Sequence, residues 1–147
     1  MADFFSGLRI SSSGMTAQRT RMNTISSNIA NINTTRTPEG GPYRRKDVIF
    51  EAMPDAKTFS DVLLKTDPRE SFHRVQVTDI TSDKKAPLMK YEPDHPDANP
   101  DGYVAYPNIN LMEEMTNMIQ ASRAYEANVS AMQASKDMAL SALEIGR

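Results

Sequence analysis

The feature that most constrains this chain is the apolar periodicity of its last third, Asn110 to Gly146. Leu111, Met115, Met118, Tyr125, Val129, Met132, Leu140 and Leu143 recur at the three-four spacing that draws one stripe along a helix. In heptads, one row is Leu111, Met118, Tyr125, Met132 and Ala139, and the other is Met115, Ser122, Val129, Lys136 and Leu143. Asn110 suits the amino-terminal cap, Glu113 follows three residues on as a capping box and the helix dipole favour, and Gly146 suits the stop. At about 1.5 Å per residue the helix is on the order of 50 Å long, more than the diameter of any domain a chain this size could wrap around it. Its partners must therefore include something besides a globular core.

The rest of that helix surface points the same way. Between Ala121 and Ala142 the off-stripe positions are mostly Ala, Ser, Asn and Gln, with Arg123, Glu126, Lys136 and Asp137 the charges. Solvated coiled coils carry Lys and Glu on their outer positions. Small, weakly polar residues instead admit other helices at close range. The plainer alternative is an ordinary amphipathic helix rich in alanine.

A second helix is expected from Asp3 or Ser6 to Asn33. Leu8, Met15, Met22 and Ile29 fall seven apart, and Ile25 and Ile32 occupy the other row after Ser11 and Gln18. Its many Ser, Thr and Asn residues are indifferent helix formers, so this helix is expected to be frayed when free and ordered when packed. Asn31, Asn33, Thr34, Thr35 and then Pro38 end it.

Between the helices lies a β-rich insert. Pro38, Gly40, Gly41 and Pro42 mark a turn-rich connection. Arg45 to Ala52 reads as a strand with Val48, Phe50 and Ala52 on one face, and Phe72 to Ile80 alternates as a half-buried strand. Asp55 to Ser71 is a polar surface excursion. Leu88 to Tyr91 and Tyr103 to Tyr106 are shorter strands, separated by Pro93, Pro96 and Pro100. The expected fold class is mainly α with a small β-rich insert. A discontinuous helical domain, 1–35 and 108–147, flanks an insert and linker at 36–107, and the two helices pack as the coiled-coil-like core layer of a helical assembly.

Composition fits a chain that buries little by itself. Hydrophobic residues make up 39% of the 147, aromatics 7%, and tryptophan is absent. Ten methionines supply adaptable apolar surface. Residues 1–50 carry seven basic against three acidic side chains, and the remainder ten against sixteen, so the two ends attract each other or their neighbours. The arginines are dispersed and no recognition motif accompanies them, which argues against nucleic acid. Without cysteine there is no disulfide, thiol catalysis or thiolate metal site. No cleavable secretory signal or membrane span is visible, and composition taken alone reads as cytoplasmic.

Candidate chemistry is sparse. Asp97-x-Asn99-x-Asp101-Gly102 matches the first half of a calcium loop, but Asn108 stands where a bidentate Glu is needed and Pro100 and Pro107 interrupt it. Pro100-Asp101-Gly102 is better read as a reverse turn. His73 and His95 lack a third ligand, and no nucleophile constellation or phosphate-cradling loop occurs. No catalytic residue, cofactor, metal or small-molecule substrate is expected.

Two groups of residues resemble a known family. Ser12-Ser13-Gly14-Met15 with Asn28-Ile29-Ala30-Asn31-Ile32-Asn33-Thr34 resembles the amino-terminal signature of flagellar rod, hook and related axial proteins. The tract Tyr91 to Asn99, Gly102-Tyr103-Val104, Pro107 to Asn110, Met112 to Met115 and Ser122 to Asn128 resembles the linker and second helix of its proximal-rod branch. The connection from Asn33 to Tyr43 is longer than in most axial proteins and resembles that branch too. The resemblance covers nearly the whole chain.

It implies a structural subunit of the bacterial flagellar basal body, exported uncleaved by the flagellar type III apparatus and polymerising in the periplasm with itself and other rod proteins. Phe4 with Leu8 has the look of an aromatic–aliphatic export signal, although ordinary first-turn packing explains the pair as well. The subunit-packing residues are then the two stripes: Leu8, Met15, Met22, Ile25, Ile29 and Ile32, with Leu111, Met115, Met118, Tyr125, Val129, Met132, Leu140 and Leu143. The competing function is a soluble helical-hairpin module whose insert binds another protein.

Overall fold

The computed structural model describes residues 2–54 and 73–145. Helix α1 (Ala2–Ala30) leads to strands β1 (Lys46–Pro54), β2 (His73–Ser82), β3 (Leu88–Tyr91) and β4 (Tyr103–Tyr106), and helix α2 (Leu111–Ile145) follows. The expected excursion from Asp55 to Ser71, the first residue of the second expected strand, Phe72, the stop at Gly146 and the Phe4 side chain lie outside what is described.

α2 starts where its cap places it. Asn110 Oδ1 accepts the Met112 amide at 3.0 Å and the Asn110 carbonyl accepts the Glu114 amide at 3.0 Å, satisfying donors that a helix leaves open at its start. α1 stops at Ala30, three residues before the expected end at Asn33, because Asn31 to Asn33 form a turn. The Asn31 side chain there donates to the Ser27 carbonyl at 2.8 Å, and Thr34 donates to Asn31 Oδ1 at 3.1 Å. Local hydrogen bonding by short polar side chains thus competes with another helical turn.

The insert forms two separate two-stranded antiparallel sheets, β1–β2 and β3–β4. In the first, Phe50 lies opposite Val77 and Ala52 opposite Val75, and Thr78 is the extra residue of a bulge at Ile49/Phe50. The Val75 amide donates to Ser13 Oγ at 3.2 Å, which seats this sheet on α1. In the second, Val104 is buried while all four residues of β3 are exposed. Gly102 turns the chain with a φ of 80°, a left-handed value that glycine adopts freely. Its amide donates to the Asn99 carbonyl at 2.8 Å, closing the turn expected from Pro100-Asp101-Gly102.

α1 and α2 run antiparallel. Asn28 meets Glu114 and, two heptads earlier on α1, Gly14 meets Asn128, two heptads later on α2. These contacts span about 21 Å of each helix and put the row Gly14, Arg21, Asn28 across from the row Asn128, Ala121, Glu114. Neither row is apolar in the usual sense. Gly14, Ala17 and Ala121 are small, and small residues let two helix backbones approach. The buried apolar side chains are few: Ala17, Ile25, Val104, Ile109 and Ala121.

Candidate functional site

The best-built feature of the molecule is a polar clasp where α1, β1 and α2 meet. Asn28 and Glu114 are 0% and 1% exposed. The Asn28 amide nitrogen donates to the Lys46 carbonyl at 2.8 Å and to Glu114 Oε2 at 3.0 Å. Its oxygen accepts the Lys46 amide at 2.9 Å and the Tyr43 hydroxyl at 3.1 Å. All four hydrogen bonds that an asparagine side chain can make are therefore made. With its proton committed to Asn28, Tyr43 receives one from Ser27 Oγ, 3.2 Å away.

Glu114 is completed from the other side. Arg45 Nε donates to Glu114 Oε1 at 2.7 Å, and Arg45 Nη1 reaches Asp47 at 3.4 Å. Burial by itself lowers the Arg45 pKa, but the hydrogen bond and charge of Glu114, then those of Asp47, more than reverse this and hold it above its ordinary value. Lys46 lies over the Tyr43 ring at 5.8 Å. A buried ion pair gives little net stability, yet removing one partner leaves the other uncompensated at a cost of about 3 kcal/mol or more. The clasp therefore fixes geometry more than it adds stability.

Chain folding explains how the clasp forms. The connection after α1 closes on itself through Thr37 N–H to the Gly41 carbonyl at 2.9 Å and Tyr43 N–H to the Thr34 carbonyl at 3.0 Å. That closure returns Tyr43, Arg45 and Lys46 to the end of the helix they left. The linker before α2 is tied to the same connection, since Thr35 donates to Asp97 at 2.8 Å. Asp97, the first position of the weighed calcium loop, is thus already engaged. Among the described residues no three His, Asp or Glu side chains converge as a metal site would require, and no helix is long and apolar enough to cross a membrane. His95 accepts the Asp97 amide through Nδ1 at 3.1 Å, and His73 is exposed at the start of β2.

The predicted packing residues occupy three environments within the single chain. Ile25 is buried. Leu8, Met15, Met22, Ile29, Met118, Tyr125, Val129 and Met132 on the two helices are half-buried, as is Ile32 in the turn after α1. Leu111, Met115, Leu140 and Leu143 are 43%, 48%, 49% and 71% exposed. On α1 the row facing α2 is Gly14, Arg21 and Asn28, one residue before the apolar row Met15, Met22 and Ile29. On α2 the inward row Glu114, Ala121 and Asn128 likewise precedes Met115, Ser122 and Val129. Met112, Ile119 and Met138, which the periodicity did not single out, add to the exposed apolar surface of α2.

Sequence reasoning missed the clasp because its members are scattered. The available signal was two heptad rows, Gly14–Arg21–Asn28 and Glu114–Ala121–Asn128, that are small or polar yet as regular as the apolar rows beside them.

Comparison with known proteins adds the family. Residues 8–36 match the family described as flagella basal body rod protein, and residues 101–145 match the flagellar basal body rod FlgEFG protein C-terminal family. The chain is 44% identical to the flagellar basal-body rod protein FlgC of Borreliella burgdorferi over 96% of either chain. It is 42% identical to FlgC of Bacillus subtilis over 97% of this chain and 98% of that one, and 40% identical to FlgC of Aquifex aeolicus over 94% and 93%. With such identity sustained along almost its whole length, the chain belongs to the FlgC family of flagellar basal-body rod proteins.

Proposed function

We propose that this protein is a structural subunit of the proximal rod of the flagellar basal body. It polymerises through its terminal helices, with itself and with other rod proteins, into the shaft that transmits torque. It is not an enzyme. The observation that carries this reading is that the α1–α2 pair closes on its small and polar rows and leaves Leu111, Met112, Met115, Ile119, Met138, Leu140 and Leu143 exposed. An exposed apolar run along one helix marks a surface built for burial against other chains. A head-to-tail contact between such surfaces that does not close on itself yields a helical array.

Within this reading the discontinuous helical domain, 1–35 and 108–147, forms the inner layer and the insert, 36–107, lies outside it. The subunit leaves the cytoplasm through the flagellar type III apparatus without loss of a signal peptide and assembles in the periplasm. Burying about five large side chains per helix, at about 2 kcal/mol each, offsets much of the entropy of ordering helix ends that fray in the free chain.

The alternative, a soluble hairpin module, is favoured by one observation: the two helices do pair within a single chain. Met115→Asp separates the two. Met115 is 48% exposed, so a charge there leaves the isolated fold intact. A rod subunit so altered fails to enter basal bodies and to restore motility, whereas normal motility would contradict the proposal.

A further inference from the structure

We infer that Glu114 makes the pairing of α1 with α2 conditional on the docking of residues 43–46, so that the helices stay apart until the start of the insert has folded against them. The inference concerns the single chain and does not depend on rod assembly.

It follows from what each member of the clasp would lose. Asn28 draws three of its four hydrogen bonds from Tyr43 and the Lys46 backbone. Glu114 draws its charge partner from Arg45, its one cationic partner at ion-pair distance among the described residues. If the helices paired without this segment, Asn28 and Glu114 would keep only each other, at 3.0 Å. Glu114 would then lack its ion-pair partner and Asn28 three of its four hydrogen bonds, at a site that is sealed to 1% and 0% exposure only with residues 43–46 in place.

The facing rows offset little of that loss: Gly14, Ala17 and Ala121 bring little apolar area, Ile25 is the large apolar side chain of α1 that is buried, and Met22, Ile29, Met118, Tyr125 and Val129 stay half-buried. Purely apolar rows would pair as soon as both helices formed. A buried carboxylate whose counter-charge arrives from elsewhere in the chain withholds pairing until that segment is in place. The arrangement also fixes register, because sliding one helix past the other would part Glu114 from Asn28 and Arg45 together.

The test uses the full-length chain, which has no cysteine of its own. Spin labels on Asn23→Cys and Gln120→Cys, both exposed positions on the paired helices, report helix separation by electron–electron distance measurement. The parent gives one narrow distance. Arg45→Ala lowers the paired fraction relative to the unpaired about tenfold, less than for a fully buried pair because the Arg45 side chain is 21% exposed. Adding Glu114→Gln to Arg45→Ala removes the uncompensated charge and returns the paired fraction to within about twofold of the parent. Glu114→Gln by itself stays paired. A broad distribution in the parent, an unchanged narrow one in Arg45→Ala, loss of pairing in Glu114→Gln alone, or a double variant as broad as Arg45→Ala would each overturn the inference.

Discussion

The approach of α1 to α2 at Gly14 can be tested by adding a single methyl group. A Cβ built on Gly14 would lie 2.9 Å from Asn128 Oδ1 and 3.1 Å from both Cγ and Nδ2. The Asn128 amide cannot swing away freely, because its nitrogen donates to the Ala124 carbonyl at 2.8 Å. In a solvated helix, replacing glycine with alanine stabilises by about 1 kcal/mol. Overpacking costs about 1–3 kcal/mol, and breaking the Asn128 hydrogen bond costs about 1 kcal/mol more. Gly14→Ala is therefore net destabilising by about 1–3 kcal/mol.

The sign depends on Asn128. In an Asn128→Ala background the obstacle is gone, and the same substitution stabilises by about 1 kcal/mol. Urea unfolding of the four full-length proteins, followed by far-ultraviolet circular dichroism, completes the cycle. Stabilisation by Gly14→Ala with Asn128 present, or equal effects in both backgrounds, would refute the placement of Gly14 against α2.

Other perturbations probe the remaining parts. Val129→Asp puts a charge at a half-buried position on α2 and should block incorporation into rods while amide spectra still show the β1–β2 pairing; normal motility would contradict it. Gly102→Ala forces a side chain into a φ of 80° and a Cβ to within 2.8 Å of Tyr91 Cε2, so β3–β4 should lose about 2 kcal/mol, read from the thermal melt and from loss of the Tyr91–Tyr103 edge-to-face ring shifts. The same sheet should respond to pH at both extremes. Hydrogen bonds from Lys90 first, and then from Tyr106, hold Glu92 below its ordinary pKa, and its bond to Glu92 raises that of Lys90 and that of Tyr106. The Glu92 contribution is full above the unfolded carboxylate value, about 4.3, and is lost as pH falls through its lowered value. The Lys90 and Tyr106 contributions are full below their unfolded values, about 10, and are lost as pH rises through their raised ones. Amide exchange in β3–β4 should accordingly be slowest between, relative to the exchange of an unfolded chain at each pH, and a profile flat to the alkaline limit would contradict the pairing.

What could be read from the sequence was what periodicity and punctuation control. The ends of β3 and β4 were legible because Pro87, Pro93, Pro96, Pro100 and Pro107 leave only two short windows for pairing. The start of α2 was legible because Asn110 is a local cap whose effect needs no distant partner. The face on which α1 meets α2 was not, since hydrophobic counting marks Met15, Met22 and Ile29 and passes over Gly14, Arg21 and Asn28 one residue earlier. The clasp was still further out of reach. Tyr43 and Lys46 become partners of Asn28, and Arg45 a partner of Glu114, only after the connection from Asn31 to Pro42 has folded back, and no local rule encodes that return. Of the small, weakly polar positions expected to admit other helices of an assembly, Ala121 and Asn128 face α1 of the same chain.

The clasp and the apolar stripe divide the labour on α2. Glu114 points inward and sets how the helix sits on α1, while Met112, Met115 and Ile119 lie in the open across the same turns. Orientation is thus set by polar groups, and in the proposed function the exposed apolar residues are the ones that other chains cover. The measurement that bears on this most directly is an image reconstruction of basal bodies containing this protein, at a resolution that shows side chains. Met115, Leu140 and Leu143 should each lie within about 4 Å of apolar atoms from a neighbouring subunit. Rods in which those side chains face open water, with the subunits joined through the insert alone, would contradict assembly through the helices.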